Sequence, residues 1–559
     1  MIKFGTGGWR EIIADGFTKE NIRLLTAGLC RWLQLEGHGG SRICLGYDRR
    51  FLSKESMFWA AEVLAGYGFK PYVINRSSPT PLIMFTVKDL GLPCGLAVTA
   101  SHNPAIYNGI KVFTAGGRDA DQNVTKAIEA QIAQLRPEDV KSIPYETAKA
   151  QGIISEGYPF NEYIDSILSM IDVEAIKRAR LRIAFDPMYG VSHGSLRTIL
   201  MTCRCDVDVI HENHDTLFGG RMPAPDAEAL KFLAHYTVDN HCDLGIATDG
   251  DADRLGVIDE NGRYLHANTL VVLLYYYFLR YRGWMGDCVR NNSTTHLLDR
   301  VAAAFGQKCH EVPVGFKHIS AKMAETDAII GGESSGGMAV KGHIPGKDGI
   351  YAAALLVEMR AVTGKTISEL YQEIVETYGE LCYAEASLRF DPARKAELKK
   401  QVYEDRATPD FGLAVERSTY GDGCKLVFTD GSWVICRFSG TEPLLRIAAE
   451  GNSDEQTGSH IRMWKEFLGL SVKGLSPIDD CCLKIEGPAA DHHCHCEEGA
   501  ARRGNPYPLR CEAPPDPRGV GKRTDCHGRL RALAMTVVVS GWSFYFQSTI
   551  IYGRQPSYL

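Results

Sequence analysis

Short apolar runs alternate with amphipathic stretches and with glycine-rich or charged loops through the first 470 residues, the rhythm of strand, loop and helix found in α/β proteins. Residues 43–47 and 72–74 read as strands, with an amphipathic helix over 54–67 between them. A comparable pattern restarts at 181–185, and again near 288–290 after a helical run over 270–282. The repetition predicts three similar mixed-sheet α/β domains of about 100 residues each. A fourth unit of antiparallel strands and helices is expected over 378–470. Joints are expected at 151–157, 259–262 and 363–378, which divides the chain into domains at 1–152, 153–259, 260–372 and 373–470, with an atypical tail at 471–559.

Four of the apolar runs end in loops that carry chemistry. Gly95-Leu96-Ala97-Val98 leads into Thr99-Ala100-Ser101-His102-Asn103-Pro104. Proline stops the strand and asparagine favours a turn, so the Ser101 hydroxyl is left at a strand end, where α/β sheets bind ligands. Leu244-Gly245-Ile246-Ala247 leads into Thr248-Asp249-Gly250-Asp251-Ala252-Asp253-Arg254. Three carboxylates at alternating positions repel one another unless a cation sits among them, and Asp249, Asp251 and Asp253 offer the hard oxygens that suit Mg²⁺. A calcium loop fits less well: Glu260 falls at the twelfth position from Asp249, but Leu255-Gly256-Val257-Ile258 between them reads as a strand. Arg254 adds a fixed charge that can orient the carboxylates. Ala328-Ile329-Ile330 leads into Gly331-Gly332-Glu333-Ser334-Ser335-Gly336-Gly337, whose short side chains let a small ligand come close. In an extended segment Glu333 and Ser335 point the same way, as recognition of vicinal hydroxyls requires. Trp433-Val434-Ile435-Cys436 leads into Arg437-Phe438-Ser439-Gly440-Thr441-Glu442-Pro443, with Arg446 beyond, where turn N–H groups, hydroxyls and arginine forks make an anion nest.

With these motifs in this order, and Phe4-Gly5-Thr6-Gly7-Gly8-Trp9-Arg10 at the start, the chain resembles the α-D-phosphohexomutases over residues 1 to about 470. That family contains phosphoglucomutase, phosphomannomutase and phosphoglucosamine mutase. The resemblance implies four domains around a central cleft. It implies that Ser101 is carried as phosphoserine and that this phosphate, with Asp249, Asp251 and Asp253, holds Mg²⁺. Glu333 and Ser335 would contact sugar hydroxyls, and Arg437, Ser439, Gly440, Thr441 and Arg446 would hold the phosphate that is not reacting. Lys111, in Asn108-Gly109-Ile110-Lys111, is implied as general acid or base, Arg10 as an active-site arginine, and His102 as a group orienting the nucleophile. His343 and Lys347, in His343-Ile344-Pro345-Gly346-Lys347-Asp348-Gly349, resemble the phosphoglucomutase pattern. Gly337 stands where some phosphomannomutases carry a histidine and, with Trp9 and Lys347, leans the reading towards glucose.

The implied activity is interconversion of glucose 1-phosphate and glucose 6-phosphate through a phosphoserine enzyme and a bound 1,6-bisphosphate, glucose 1,6-bisphosphate acting as activator. Mannose and glucosamine phosphates are the alternatives. A phosphoserine carries about −1.5 to −2 charges at neutral pH, so beside three aspartates it needs both Mg²⁺ and Arg254. A sugar phosphatase or a non-catalytic sugar-phosphate-binding protein would use the same nest and metal, but Lys111, Glu333 and Ser335 are more apparatus than binding needs. A mutase must pass phosphate between sugar oxygens without losing it to water, so closure of the cleft by hinged domains is expected.

A net charge of −6, from 62 Lys and Arg against 68 Asp and Glu, provides no global field to recruit nucleic acid or an anionic membrane. Small sugar phosphates are the partners the resemblance implies, and no feature of the sequence sets an oligomeric state. Eleven of the 17 cysteines precede residue 471 without a framework spacing, which suits a reducing cytoplasm. Met1-Ile2-Lys3-Phe4 enters a motif at once, with no room for a signal peptide. Residues 471–559 hold 8 of the 24 prolines and 6 of the 17 cysteines and abandon the strand–helix alternation, so a disordered appendage or an out-of-frame extension is expected. Asp491-His492-His493-Cys494-His495-Cys496 packs soft ligands at adjacent positions rather than at the spacing a tetrahedral zinc site wants. Residues 532–553 carry no charge, but Ser540, Gly541, Trp542, Ser543, Gln547 and Ser548 dilute them as a membrane span.

Overall fold

Apolar runs without polar alternation, such as Cys94–Val98 and Leu244–Thr248, are buried along their whole length, as parallel strands covered on both faces must be. The computed structural model describes residues 2–5, 7–438 and 444–470, with the backbone of Lys484–Glu486. The expectations for Ser439, Gly440 and Thr441, for the His/Cys cluster at 491–496 and for the uncharged run at 532–553 lie outside the described residues.

The first sheet contains β1 (Trp9–Ile12), β2 (Arg42–Tyr47), β3 (Lys70–Ile74), β4 (Cys94–Val98), β5 (Tyr107–Thr114), β6 (Arg118–Asp119) and β7 (Ser155–Gly157), in the order β1-β5-β4-β2-β3-β7 with β6 beside β5. The second contains β8 (Arg182–Asp186), β9 (Asp206–Val209), β10 (Leu244–Thr248), β11 (Leu255–Ile258) and β12 (Tyr264–Leu265), in the order β12-β11-β10-β8-β9. The third contains β13 (Cys288–Asn291), β14 (Cys309–Val312), β15 (Ile330–Gly332) and β16 (Met338–Val340), in the order β14-β13-β15-β16. In each, a strand parallel to one neighbour turns back into an antiparallel partner: β4 into β5, β10 into β11, β15 into β16. The three reversals are the Ser101 loop, the aspartate loop and the Glu333 loop. The expected equivalence of these strand ends is thus a matter of topology.

The fourth sheet is antiparallel throughout: β17 (Cys382–Arg389), β18 (Val415–Thr419), β19 (Cys424–Phe428), β20 (Trp433–Phe438), β21 (Leu444–Gly451) and β22 (Lys484–Glu486), in the order β18-β19-β20-β21-β17-β22. The helix Asp454–Phe467 packs on it, its amino end capped by the Ser453 side chain. Strand pairing extends the first sheet through Gly157 and the second through Leu265. Residues 259–262 are the turn of the β11–β12 hairpin, with Gly262 N–H on the Asp259 carbonyl at 3.0 Å. Glycine, asparagine and aspartate serve tight hairpins as well as linkers, so the sequence alone does not tell them apart. Most of 363–378 is the helix Ile367–Tyr378, started by a capping box of Thr366 and Glu369.

The helix Gly349–Thr363 is apolar apart from Glu358 and Arg360 and packs against strands of both the second and the third sheet. Asp348 caps it, its Oδ1 accepting the Ile350 and Tyr351 N–H groups. That helix start touches the aspartate loop: Gly349 N–H donates to the Ala252 carbonyl at 3.1 Å. A Cβ on Gly349 would stand 2.5 Å from the Arg254 carbonyl, so only glycine permits the approach. No helix among the described residues is long and apolar enough to cross a membrane.

Candidate active site

The aspartate loop is the hub. Ala252, at φ +65°, lets the chain fold back tightly, with Ala252 N–H on the Asp249 carbonyl at 3.0 Å. Asp249 Oδ1 accepts the N–H groups of Asp253 and Arg254, each at 3.0 Å, which fixes its carboxylate from within its own loop. Its other oxygen, Oδ2, accepts the Ser101 hydroxyl at 2.8 Å. Ser101 is fully buried and takes φ +53°, a left-handed conformation uncommon outside glycine. Its N–H is held by Thr99 Oγ1 at 2.9 Å, and its Oγ lies 3.3 Å from His102 Nδ1.

The neighbouring units grip the same hub. From the first, Thr80 opens the helix Thr80–Asp89, its N–H reaching the Asp251 carbonyl at 3.0 Å and its hydroxyl donating to Asp251 Oδ2 at 2.6 Å. From β5, Lys111 Nζ lies 2.6 Å from Asp251 Oδ2 and 2.7 Å from Asp253 Oδ2. From the third unit, Leu255 N–H donates to the Gly336 carbonyl at 3.1 Å, and Arg254 forms an antiparallel bridge with Gly337. Lys347 Nζ reaches Asp253 Oδ2 at 3.0 Å. Gly337 makes room for it: a Cβ there would lie 2.3 Å from Lys347 Cδ and 3.0 Å from Glu333 Oε1. Glu333 is buried in the loop, and Ser335 is exposed on it. Arg10 on β1 donates through Nη1 to Asn103 Oδ1 at 2.7 Å, two residues from Ser101.

Charge follows this geometry. Burial raises the Asp249 carboxyl well above the usual range, and the charges of Asp251 and Asp253 push it the same way. Burial alone would do the same to Asp251 and Asp253, but Lys111 outweighs it and holds both below the usual range. The Lys111 ammonium loses stability on burial, yet its two carboxylate partners more than offset this and keep it protonated. His102 is pushed well below the ordinary histidine value by burial and by Arg254, Arg10 and Lys347, so its imidazole is neutral at pH 7.

The donor set fits Mg²⁺. One carboxylate oxygen from each of Asp249, Asp251 and Asp253 lies within 4.8 Å of the others. Lys111 takes the Oδ2 atoms of Asp251 and Asp253, while both Oδ1 atoms are buried without a hydrogen-bond partner. Two orphaned buried carboxylate oxygens facing a third carboxylate are hard ligands of the kind a small divalent cation takes.

Most of the residues singled out in the sequence converge here, but some do not. His343 is held inside by its neighbours: Nε2 lies 2.7 Å from Asp348 Oδ2, which also accepts the Tyr163 hydroxyl at 2.7 Å, and its ring sits among Phe85, Tyr163 and Tyr351. Arg437 on β20 and Arg446 on β21 are cross-strand partners at the mouth of the fourth sheet's loop, and Arg437 Nε lies 3.6 Å from Asp422 Oδ1. Thr80, Asp48 and Arg50 escaped notice. Asp48-Arg49-Arg50 does carry the signal of the other loops, a charged turn directly after an apolar run, and Ser78-Pro79-Thr80-Pro81 marks a helix start.

Comparison with known proteins bears on about 84% of the chain. Residues 1–139, 161–262 and 266–378 match the alpha/beta/alpha domains I, II and III of phosphoglucomutase/phosphomannomutase, and 393–462 match its C-terminal domain. A phosphoglucomutase/phosphomannomutase of Thermococcus kodakarensis is 30% identical over 487 residues, which cover 84% of this chain and 99% of that one. A phosphoglucosamine/phosphogalactosamine mutase of Sulfurisphaera tokodaii is 28% identical over 469 residues, 83% of this chain and 98% of its own. A solved Thermus thermophilus protein, assigned as a phosphomannomutase, superposes with a TM-score of 0.73 at 30% identity, covering 84% of this chain and 99% of that one. Four domains in family order, and near-complete coverage of relatives at this identity, place the chain in the phosphoglucomutase/phosphomannomutase family, the α-D-phosphohexomutases, whose members are intramolecular phosphotransferases.

Proposed function

We propose that this phosphohexomutase interconverts hexose 1-phosphates and 6-phosphates with Ser101 as the residue that carries the phosphate, and that glucose is its preferred sugar. The observation that supports this most is the Ser101 hydroxyl bonded to Asp249 at 2.8 Å, within a triad of aspartates suited to a divalent cation. Asp249, Asp251 and Asp253 would hold Mg²⁺, which when bound neutralises charge on the phosphoryl group in transfer. The P–Oγ bond of phospho-Ser101 breaks as a bond forms to the sugar's 6-oxygen, whose proton passes to the freed serine oxygen, giving a bound 1,6-bisphosphate. After the sugar turns over in the cleft, the 1-phosphate returns to Ser101 and the 6-phosphate is released.

The side chains divide the work. Lys111, held protonated at Nζ between two carboxylates, supplies positive charge next to the reacting oxygens. Neutral His102, its Nδ1 3.3 Å from Oγ, helps to orient the hydroxyl when Ser101 stands unphosphorylated. Glu333 and Ser335 face the sugar's hydroxyls, while Arg437, Arg446 and the segment Ser439-Gly440-Thr441 take the phosphate that is not reacting. Glucose 1,6-bisphosphate would prime the enzyme by phosphorylating Ser101.

Gly337 leans the reading towards glucose by the resemblance alone; in the structure it leaves room for Lys347 and Glu333, which a larger side chain would displace and crowd. Several relatives at 28 to 30% identity are named for glucosamine phosphate, which makes a phosphoglucosamine mutase the second reading. Values of kcat/KM for the 1-phosphates of glucose, mannose and glucosamine, with Mg²⁺ and a trace of the matching bisphosphate, separate the readings. Glucose in first place supports the proposal, and glucosamine in first place replaces it. Release of inorganic phosphate in place of isomerisation marks a phosphatase, which would need no bisphosphate.

A further inference from the structure

We propose that Arg50 is the positioning residue of the nucleophile: its guanidinium gathers the Ser101 loop by its carbonyls and sets where the Ser101 hydroxyl stands. Arg50 Nη2 donates to the carbonyls of Ser101 and Asn103 at 2.6 Å each, and Nη1 to those of Pro104 at 2.9 Å and Tyr107 at 3.0 Å. Carbonyls from both ends of the turn between β4 and β5 thus point at one cation. Backbone carbonyls so gathered repel one another unless a donor fork holds them, and a planar guanidinium offers the fixed geometry that an ammonium lacks. Arg50 is itself fixed: its Nε lies 3.4 Å from Asp48 Oδ2, and its face lies 4.9 Å from the Phe218 ring. Asp48 in turn accepts the Arg50 N–H at 2.9 Å and the Ser53 hydroxyl at 2.7 Å.

This clamp accounts for the backbone of Ser101. A serine at φ +53° persists only where its surroundings over-determine it. Here Arg50 holds the Ser101 carbonyl and Thr99 holds its N–H. The adjacent Arg49 docks outward, its Nη1 donating to the Glu212 carbonyl at 2.8 Å and its own carbonyl lying 3.0 Å from His214 Nε2. Phe218, Glu212 and His214 belong to the unit that carries the aspartates. One dipeptide therefore registers the nucleophile loop against the cation-binding loop, and the 2.8 Å contact between Ser101 and Asp249 is the product of that register. The fork is spent on backbone, so Arg50 acts through the loop and not on the substrate.

The inference rests on Ser101 being the nucleophile, so Arg50→Lys and Ser101→Ala of the full chain are measured side by side. Melting curves, phosphoenzyme content, kcat and KM are read at saturating Mg²⁺ and bisphosphate. For Arg50→Lys the expected result is a cooperative melt, KM within about threefold of wild type and kcat lower by about 100-fold, the scale of an ångström of misplacement. A wild-type kcat, or a loss that vanishes once activity is expressed per folded molecule, overturns the proposal. Should Arg50→Lys fail to fold, Asp48→Asn, which weakens only the charge behind the guanidinium, carries the same expectation of a lowered kcat at constant KM; an unchanged kcat there also overturns it. An active Ser101→Ala would instead sink the nucleophile reading. A dead Ser101→Ala beside a fully active Arg50→Lys would sink the positioning role alone.

Discussion

Thr80 shows how a residue away from the chemistry can tune it. Its hydroxyl donates to Asp251 Oδ2 at 2.6 Å, orienting a carboxylate whose other oxygen is orphaned. Outer groups of this kind are commonly worth 10- to 100-fold in metal affinity, so Thr80→Val is expected to raise the Mg²⁺ concentration for half-maximal activity by about that factor. The backbone bond from Thr80 N–H to the Asp251 carbonyl survives the change, and the melting temperature should move little. A Mg²⁺ titration followed by activity decides it; unchanged half-saturation would remove Thr80 from the metal site. At this scale the sequence was legible where chemistry repeats a pattern. The spacing of Asp249, Asp251 and Asp253 marks a candidate cation site, and the structure brings one oxygen of each within 4.8 Å of the others. Arg50 and Thr80 were not legible, because their partners are backbone carbonyls and a carboxylate 171 positions away, which no local pattern encodes.

Among the elements, the join between the third and fourth sheets is a polar cluster with a pH signature. Lys425 on β19 lies 2.6 Å from Glu311 on β14 and 3.0 Å from His296 Nε2, and Arg290 on β13 reaches the same Glu311 oxygen at 2.6 Å. His296 N–H and Trp433 Nε1 both donate to Glu450 Oε1, at 2.8 and 3.0 Å. Burial pushes the His296 imidazole down to about 4, with Arg290 and Lys425 adding to the effect against Glu311 and Asp299. Free histidine titrates near 6.5 and the folded one near 4, so between those values the unfolded chain binds more protons. The stability contributed here is complete above pH ~6.5 and is lost as pH falls towards 4, by up to about 3 kcal/mol. Melting temperature should therefore drop across that window, and His296→Asn, which keeps an acceptor for Lys425, should flatten the slope; an equal slope in both proteins would refute it. The sequence marks a strand near 288–290 and antiparallel strands over 378–470, but neither β14 nor the cluster. Glu311, Lys425 and His296 read singly as solvated charges, and only the docking of β19 onto β14 makes them a network.

On the scale of the molecule, three reversals at equivalent strand ends bring the Ser101, aspartate and Glu333 loops to one place, while Arg437 and Arg446 stay on the fourth sheet beside Asp422. The order of the motifs made this architecture readable from the sequence, because one α/β plan recurs and each restart is marked by an apolar run. The divisions between units were less readable: 155–157 and 264–265 join the preceding sheets as edge strands, and such short strands carry too few residues to show a period. The fourth sheet meets the third through side-chain pairs around Lys425 and Asp422, an arrangement that can hinge. Binding of a sugar bisphosphate is expected to close the cleft and lower the radius of gyration in solution scattering, and an unchanged profile at saturation would count against closure. The central claim, that Ser101 carries the phosphate between the two positions of the sugar, has a more direct test. The enzyme is exposed to ³²P-labelled glucose 1,6-bisphosphate with Mg²⁺, freed of ligand and chased with unlabelled glucose 1-phosphate, alongside Ser101→Ala. The account predicts label on Ser101 of the wild type that moves into hexose phosphate without appearing as inorganic phosphate, and no label on the variant. Label retained by Ser101→Ala, or released to water in the chase, would contradict it.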